Sequence, residues 1–487
     1  MRACYNQCVQ LSELEQILSK ACRLEPGQKV VVGFSCGTDS LCLLDGLACL
    51  QVPVIAAHFN HGLRPEADAD AAAAVETARR LGVACISERQ EVAEQARQAH
   101  ISLEEAARQA RYRFLFRVAR QAGAQAVAVA HTADDQVETV LMHLLRGAGL
   151  AGLCGMPVRA EQHAWDAEIA LLRPLLSFWR ADTEAWCAQR ALTPLEDPSN
   201  RDQRFFRNRL RHDLLPYLQT YNPQVKELLV RTAASLAEDE SVLQAAAVQA
   251  WQACRAPAAP GWTGLDCAGL ANLPLGLQRR VVRLALDGLR GLRDIDFPAV
   301  ERVLSLLDSA AGRQVNVQAG LTAFRLGERI LIGSGRQPPL DFFPQLAEEA
   351  CLLDAPGEVA LAGGWKLTAE WVPAEQVVRS AEGLLASELQ WEAWLDGGRL
   401  HFPLKVRGAQ RGERFAPLGL AGRSTKLSDF FINQKVPQAA RAGWPLLVSG
   451  QEIVWAAGLR LSDAASLREG TSQILHVRLR PAASRKV

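Results

Sequence analysis

The first 220 residues alternate between short apolar runs and longer stretches rich in Ala, Arg and Glu. Residues 11–24 read as a short amphipathic helix. Strand-like runs follow at 29–34, 53–58, 83–88 and 126–131, and stretches of helical composition lie between them at 40–50, 65–81 and 104–122. Strands separated by helices predict an α/β fold, a parallel sheet flanked by helices on both faces. The apolar run Ile169–Leu172 offers a further strand. From 205 to 256 the pattern turns helical, with Leu228, Leu229, Leu236 and Leu243 in register, and Pro257–Pro260 breaks it. Residues 262–310 again read as helices, 313–333 as a hairpin and 333–339 as a linker. From 350 onward short apolar runs punctuated by Gly and Pro are more β-like. Three domains are predicted: a catalytic α/β domain over 1–220, a mainly helical middle over 221–338 and a small α+β domain over 339–487.

Bulk properties narrow the class. A chain of 487 residues is too long for one ordinary domain. Hydrophobic residues make up 49% and charged residues 22%, an ordinary globular balance. The net charge of +1 means that a nucleic-acid partner must be held by local arginine clusters. The 12 cysteines include no CxxC pair and no Cys/His set at zinc spacing, which argues against a structural metal or an iron–sulfur cluster. Most lie in apolar runs, as buried thiols in a reducing compartment do. The polar start of the chain and the lack of a long apolar run point to the cytoplasm.

In a parallel sheet, ligands bind beyond the carboxyl ends of the strands. Three polar loops fall there. Ser35-Cys36-Gly37-Thr38-Asp39-Ser40 follows the first strand and opens a helix at Asp39 or Ser40, either of which can cap it. It lacks the lysine of a Walker A loop and the spaced glycines of a dinucleotide fingerprint. Its hydroxyls and amides suit a phosphate, and its carboxylate suits Mg²⁺. A plain strand-to-helix turn with an Asp cap is the competing reading. His58-Phe59-Asn60-His61-Gly62-Leu63-Arg64 follows the second strand, where His58, Asn60 and Arg64 offer donors to a nucleotide. Alone, it also reads as a surface loop with a satisfied histidine. His131 to Thr139 is the third, with Asp135 and Glu138 three apart on one helical face. Such a pair can hold a metal, bind an amine or accept a proton, although a helix's first turn favours acids in any case.

A fourth stretch, Glu196 to Arg211, holds five arginines in eleven residues. Arg201, Arg204, Arg207 and Arg211 are spaced by three or four and would line one helical face. That face suits phosphates or a developing negative charge.

These blocks resemble the tRNA(Ile)-lysidine synthetase family, within the PP-loop or N-type ATP pyrophosphatase group. Ser35 to Ser40 is similar to the family loop SGGxDS. His58 to Arg64 resembles its HxNHGLR block. His131 to Thr139, with Leu144-Leu145-Arg146-Gly147 and Gly152-Leu153, resembles HxADDQxET…LLRG…GL, and Asp197 to Arg211 resembles DPSNxxxxFxRNxxR. Arg411 to Phe415, Lys426 to Phe431, Pro445 to Leu447 and Ile453 to Trp455 resemble the family's C-terminal domain.

The resemblance implies a reaction in which ATP adenylates the 2-carbonyl oxygen of the wobble cytidine in a CAU-anticodon tRNA(Ile). The side-chain amine of free L-lysine then displaces AMP. It makes Ser35 to Ser40, His58, Asn60 and Arg64 the ATP site, and Asp39 and Asp135 partners of Mg²⁺ or phosphate. It makes Asp135 and Glu138 acids that bind Mg²⁺ or the amine or take its proton. Arg204 or Arg207 would face the developing charge or the RNA, and His131, Asp134, Arg201 and Arg211 would touch substrate. Arg411, Arg414 and Lys426 would grip the acceptor side of the tRNA, and a homodimer is compatible with the family. Two other readings compete: a PP-loop tRNA thiolase, and a non-catalytic tRNA-binding homologue.

One residue departs from the pattern. Cys36 stands where the family motif has glycine, which permits positive φ and close backbone approach to phosphate. With negative φ the thiol could turn away. With positive φ the loop carries roughly 1–2 kcal/mol of strain, and nucleotide binding would weaken.

Overall fold

The computed structural model describes residues 11–62, 66–99, 101–161, 165–195, 206–256, 258–290, 296–309, 313–335, 339–373, 391–420, 422–434, 436–468 and 470–481. The chain divides into two compact units that meet at Val242 and Leu243.

The first unit is the predicted α/β sheet. Its strands are β1 (Val30–Gly33), β2 (Val54–Asn60), β3 (Ala84–Arg89), β4 (Ala126–Ala128), β5 (Arg159–Ala160) and β6 (Ala170–Leu172), in the order β3-β2-β1-β4-β6-β5. All neighbours pair in parallel except β5, which runs antiparallel to β6 at the edge. The main helices between them are α1 (Thr38–Cys49), α2 (Ala67–Arg80), α3 (Val92–Ala99), α4 (Leu103–Ala122) and α5 (Ala133–Leu145), and α6 (Arg180–Gln189) follows the last strand. Helix α3 was not foreseen, being only two turns long.

Alternation along the strands explains the two-sided core. Val30 and Val32 join Leu41, Leu44 and Leu47 of α1 on one face. Val31, between them, joins Tyr112, Phe114 and Leu115 of α4 on the other. β4 and β6 divide in the same way: Ala128 and Leu172 go to the first face, Val127 and Leu171 to the second. Side chains that alternate across a pleat give this division, and a sheet covered on both faces must be apolar throughout. Strand order reverses direction between β1 and β4, so the crevice at their carboxyl ends is the expected ligand site. A helical run follows through Phe206–Arg209, the π-turn Leu210–Leu214 and Leu215–Tyr221. The long helix α7 (Val225–Cys254) then leads into the second unit.

The second unit carries the expected helices Leu275–Arg290 and Phe297–Leu304. A five-stranded antiparallel sheet accompanies them; the hairpin read over 313–333, with arms at 314–317 and 329–332, is a three-strand meander, in which Leu321–Leu326 lies between Gln314–Asn316 and Arg329–Ser334 and pairs with both. Residues Trp262–Asp266, read as helix from the sequence, form a strand of this sheet. The run is too short to show a period, and its conformation is set by pairing with Arg329–Gly333. The indole of Trp262 lies over Gly333, where a Cβ would come within 2.4 Å of it. The C-terminal part is two antiparallel sheets, of five and four strands, sharing one core with Leu404, Val406 and Trp455 from one sheet and Leu367, Leu395 and Leu475 from the other.

Candidate active site

The loop after β1 reaches α1 through Gly37, whose extended backbone (φ −73°, ψ 167°) forms the N-cap. The helix begins at Thr38, one residue earlier than predicted, and neither Asp39 nor Ser40 caps it; no side chain does. The first-turn amides of α1 are therefore left to an external acceptor, and the helix end favours an anion. Ser40 instead donates to the Gly37 carbonyl (3.0 Å), and its Oγ lies 3.1 Å from that of Ser35. These bonds tie the loop's two ends together.

Cys36 adopts φ +61°, in the left-handed region. Its side chain is fully buried in the core beneath the loop, with Leu41, Leu44 and Ala74. The outcome combines the two alternatives: the backbone is strained, and the thiol is turned away from the ligand side. Burial pushes that thiol's pKa up, so it is not a nucleophile. The loop's far side is fixed by Leu195, whose N–H donates to the Cys36 carbonyl at 2.8 Å.

Asp39 points out of the first turn of α1. Thr183 of α6 donates to its Oδ1 at 2.5 Å, and Arg180 Nε lies 3.7 Å from Oδ2. Burial raises the Asp39 pKa, against the pull of Thr183 and Arg180. Arg180 also reaches Asp135, with Nη2 3.7 Å from Oδ1. Helix α6 is pinned to α1 behind this contact: Trp186 Nε1 donates to Asp45 at 2.9 Å, and Arg190 pairs with the same carboxylate at 2.5 Å.

The third loop delivers its acids as the spacing predicted. The Thr132 backbone N–H donates to Asp135 Oδ2 at 2.9 Å, forming the return half of a capping box. Asp135 Oδ1 is thereby aimed at Arg180 and at Arg211, which lies 3.9 Å away. Glu138, one turn on, is fully buried. It takes an ion pair from Arg207 at 3.1 Å and a hydrogen bond from Arg211 at 2.7 Å. One Asp135 oxygen thus serves the helix's first turn, and the other faces the two arginines. Gln136 has a structural role: its amide brackets Met156, donating to the Met156 carbonyl (3.1 Å) and accepting from its N–H (2.8 Å). That clamp holds the Gly152–Met156 turn against α5.

Asp134 accepts the Arg180 backbone N–H at 2.9 Å and pairs with Lys226 of α7. Burial opposes its ionisation, yet these partners hold its pKa below the usual carboxylate range. Lys226 also sits 4.9 Å from the ring centre of Trp179. His131 and Asp135 titrate as a linked pair in which the carboxylate is the charged member. Burial drives the imidazole down to about 3, so it is neutral, and its Nδ1 is buried without a partner.

His58 takes the quieter of its two readings. Its ring is buried, Nδ1 lies 2.9 Å from the Phe34 carbonyl, and burial lowers its pKa. Asn60 spans the Gly62 N–H (2.9 Å) and Asp68 (2.7 Å), shaping the loop after β2. Arg64, Arg201 and Arg204 lie outside the described residues. In the second unit, Arg414 and Lys426 face each other across a two-stranded ribbon, and both are exposed, as is Arg411. Arg414 donates to Ser424 Oγ and the Ser424 carbonyl at 2.9 and 2.6 Å.

Sequence reasoning missed Arg180, Thr183 and Lys226. The signal for Arg180 is its place in the chain: Arg173 to Arg180 directly follows the carboxyl end of the apolar run Ile169–Leu172, where ligands of a parallel sheet bind. Lys226 had no signal, because it comes from a helix after the sheet has ended.

A parallel sheet with an open phosphate loop at its switch point, and acids gathered from the next strand end, defines a PP-loop nucleotide-binding protein. The PP-loop domain model matches residues 9–218, the TilS substrate-binding domain 265–327 and the TilS substrate C-terminal domain 404–479. The tRNA(Ile)-lysidine synthase of Dehalococcoides mccartyi is 33% identical over 475 residues, 96% of this chain and 98% of that protein. The tRNA(Ile)-lysidine synthase of Geobacter sulfurreducens is 36% identical over 467 residues, 93% and 94%. This chain belongs to the tRNA(Ile)-lysidine synthase family. Among solved structures, a U34-tRNA thiolase from Methanococcus maripaludis aligns with 48% of this chain and 80% of its own, at TM-score 0.40 and 19% identity.

Proposed function

We propose that the chain adenylates the wobble cytidine of a CAU-anticodon tRNA(Ile) with ATP and joins lysine to it, giving lysidine, AMP and pyrophosphate. One observation carries the reading. A single sheet edge gathers an uncapped phosphate loop, three carboxylates (Asp39, Asp135 and Glu138) and two arginines (Arg207 and Arg211), in a chain that matches lysidine synthases along nearly its whole length.

In the first step the cytidine 2-carbonyl oxygen bonds to the α-phosphorus of ATP and pyrophosphate leaves. The α1 amides and the Ser35 and Ser40 hydroxyls receive the phosphates. Asp39 and Asp135 supply the hard oxygens that Mg²⁺ prefers, and their free oxygens already converge on one cation, the Arg180 guanidinium. Bound there, Mg²⁺ would neutralise phosphate charge. In the second step the lysine amine attacks C2, and AMP departs with the former carbonyl oxygen. Asp135 and Glu138 hold the incoming ammonium and receive its proton; in its absence Arg207 and Arg211 neutralise them. Those two arginines are then free to face the leaving phosphate. Arg411, Arg414 and Lys426 present an exposed basic edge to the tRNA. The reaction belongs in the cytoplasm, where tRNA, ATP and free lysine meet.

The test is ATP-dependent incorporation of labelled lysine into a tRNA(Ile) transcript with a CAU anticodon, with a CAU-bearing methionine tRNA as control. Lysine on the first transcript alone is expected. Binding of that transcript without incorporation would overturn the proposal in favour of a non-catalytic tRNA-binding protein.

A further inference from the structure

The helical run that carries Arg207 and Arg211 continues past them to a pair of tyrosines that the reaction described above does not use. Phe206–Arg209, Leu210–Leu214 and Leu215–Tyr221 follow one another without a break. Three contacts give the run its direction. The guanidinium carbon of Arg146, just beyond the end of α5, lies 6.0 Å from the ring centre of Phe206; Arg207 donates to Thr139 at 3.1 Å; Arg211 lies 3.9 Å from Asp135. Later residues of the run meet earlier residues of α5, so the two helices are antiparallel. The part beyond Arg211 therefore leads past the start of α5, on the side where the crevice opens. Tyr217 and Tyr221 stand there, 58% and 73% exposed, so both rings are open to a ligand. At the rise of a helix they lie roughly 9 and 15 Å along the axis from Arg211.

Two features separate this pair from scattered surface tyrosines. The hydroxyls lie 2.8 Å apart, and the ring centres 5.3 Å apart with their planes inclined at 73°. The rings hold each other without covering each other, so a flat ligand that lands on them orders little that is not already ordered. The surroundings are also basic: the run carries Arg207, Arg209 and Arg211 against one acid, Asp213, and Arg209 is exposed. Aromatic faces next to arginines suit a nucleobase with its phosphates. The proposed reaction selects the base. A cytidine whose C2 enters the crevice has left the stack of its loop, which uncovers the face of its neighbour, one nucleotide from the reacting atoms. In a CAU anticodon the neighbour on the 3′ side is an adenine, which offers the larger face of a purine.

We infer that Tyr217 and Tyr221 form a platform on which the adenine of the CAU anticodon stacks while the wobble cytidine sits between the phosphate loop and the acid pair. This rests on the proposed lysidine synthesis and adds how the anticodon is steadied: the platform replaces the stacking that the adenine loses when the cytidine leaves. Fixing the adjacent nucleotide orients the reacting base.

The experiment is a double-mutant cycle on tRNA binding and on lysine transfer. It uses the full-length protein and two tRNA(Ile) transcripts, one intact and one with an abasic site in place of the anticodon adenine. With the intact transcript, Tyr217→Ala and Tyr221→Ala should each weaken binding by ~10-fold, within the range for one base stacked on an aromatic ring. Tyr221→Phe, which keeps the ring, should stay within about 2-fold of the unmodified protein. The abasic transcript should bind the unmodified protein ~10-fold more weakly, and the alanine variants should then lose little more. Both positions are exposed, and unchanged ATP affinity in the variants checks that they fold. Equal losses with the intact and the abasic transcript would overturn the inference, since the tyrosines would then touch something other than that adenine. So would undiminished binding of the intact transcript by the doubly substituted protein. Coupling between adenine and tyrosine in binding, with no lysine transferred by the unmodified protein, would instead sink the proposed function and leave the platform standing.

Discussion

Replacing Cys36 tests whether its backbone conformation is a real cost. The residue combines φ +61° with complete burial, and the two features pull in opposite directions. At an ordinary buried position, stability falls in the order Val, Ala, Gly. Removing the Ala methyl loses about 0.8 kcal/mol of burial, and glycine adds about 0.5–1 kcal/mol of backbone entropy. Gly should then lie roughly 1.5 kcal/mol below Ala. At a left-handed φ every residue bearing a Cβ carries about 1–2 kcal/mol of strain, which glycine lacks. The two sums nearly cancel. Cys36→Gly is therefore expected within about 0.5 kcal/mol of Cys36→Ala. Cys36→Val should fall below both, because a β-branched residue is a true outlier there. Calorimetry reads this out, using the transition that ATP shifts upward, since that transition reports the nucleotide-binding unit. For a unit of this size 1 kcal/mol corresponds to about 2–4 °C. The Gly and Ala variants should thus melt within about 2 °C of each other. A Gly variant melting about 3–6 °C below Ala would refute the strain argument, because burial alone would then set the order. ATP affinity should be nearly unchanged in the Gly variant, because the thiol points into the core and leaves the phosphate side open.

Three other perturbations probe the site. Glu138→Ala strands Arg207 and Arg211 beside a fully buried position; it should destabilise by about 3 kcal/mol in denaturant unfolding and abolish lysine transfer. Lys226→Met removes the partner that helps to hold the Asp134 pKa down. A lowered carboxylate contributes stability above its unfolded pKa and loses it as pH falls through the folded value, so the variant should lose stability at neutral pH and lie closest to the unmodified protein in strong acid. A constant difference across that range would count against the pairing. Thr183→Val removes the hydroxyl that donates to Asp39; the already raised Asp39 pKa should climb further, moving the acid limb of the pH–rate profile to higher pH.

The parts of this site that were legible in the sequence are those where local spacing fixes geometry. Asp135 and Glu138 share a face because a helix repeats every 3.6 residues, and both meet Arg211 as that spacing implies. The loop after β1 could be placed because an apolar strand and a helix bracket it. What was not legible depends on distance along the chain. Arg180 and Thr183 reach Asp39 from about 140 residues away, and nothing in either segment announces the other. His58 shows the converse: its residue type advertised a ligand, and only the buried Phe34 carbonyl revealed a structural commitment. The two cases share a cause: spacing within one helix or loop is written in the sequence, whereas a partner that arrives from another element, as Lys226 does at Asp134, is set by packing alone.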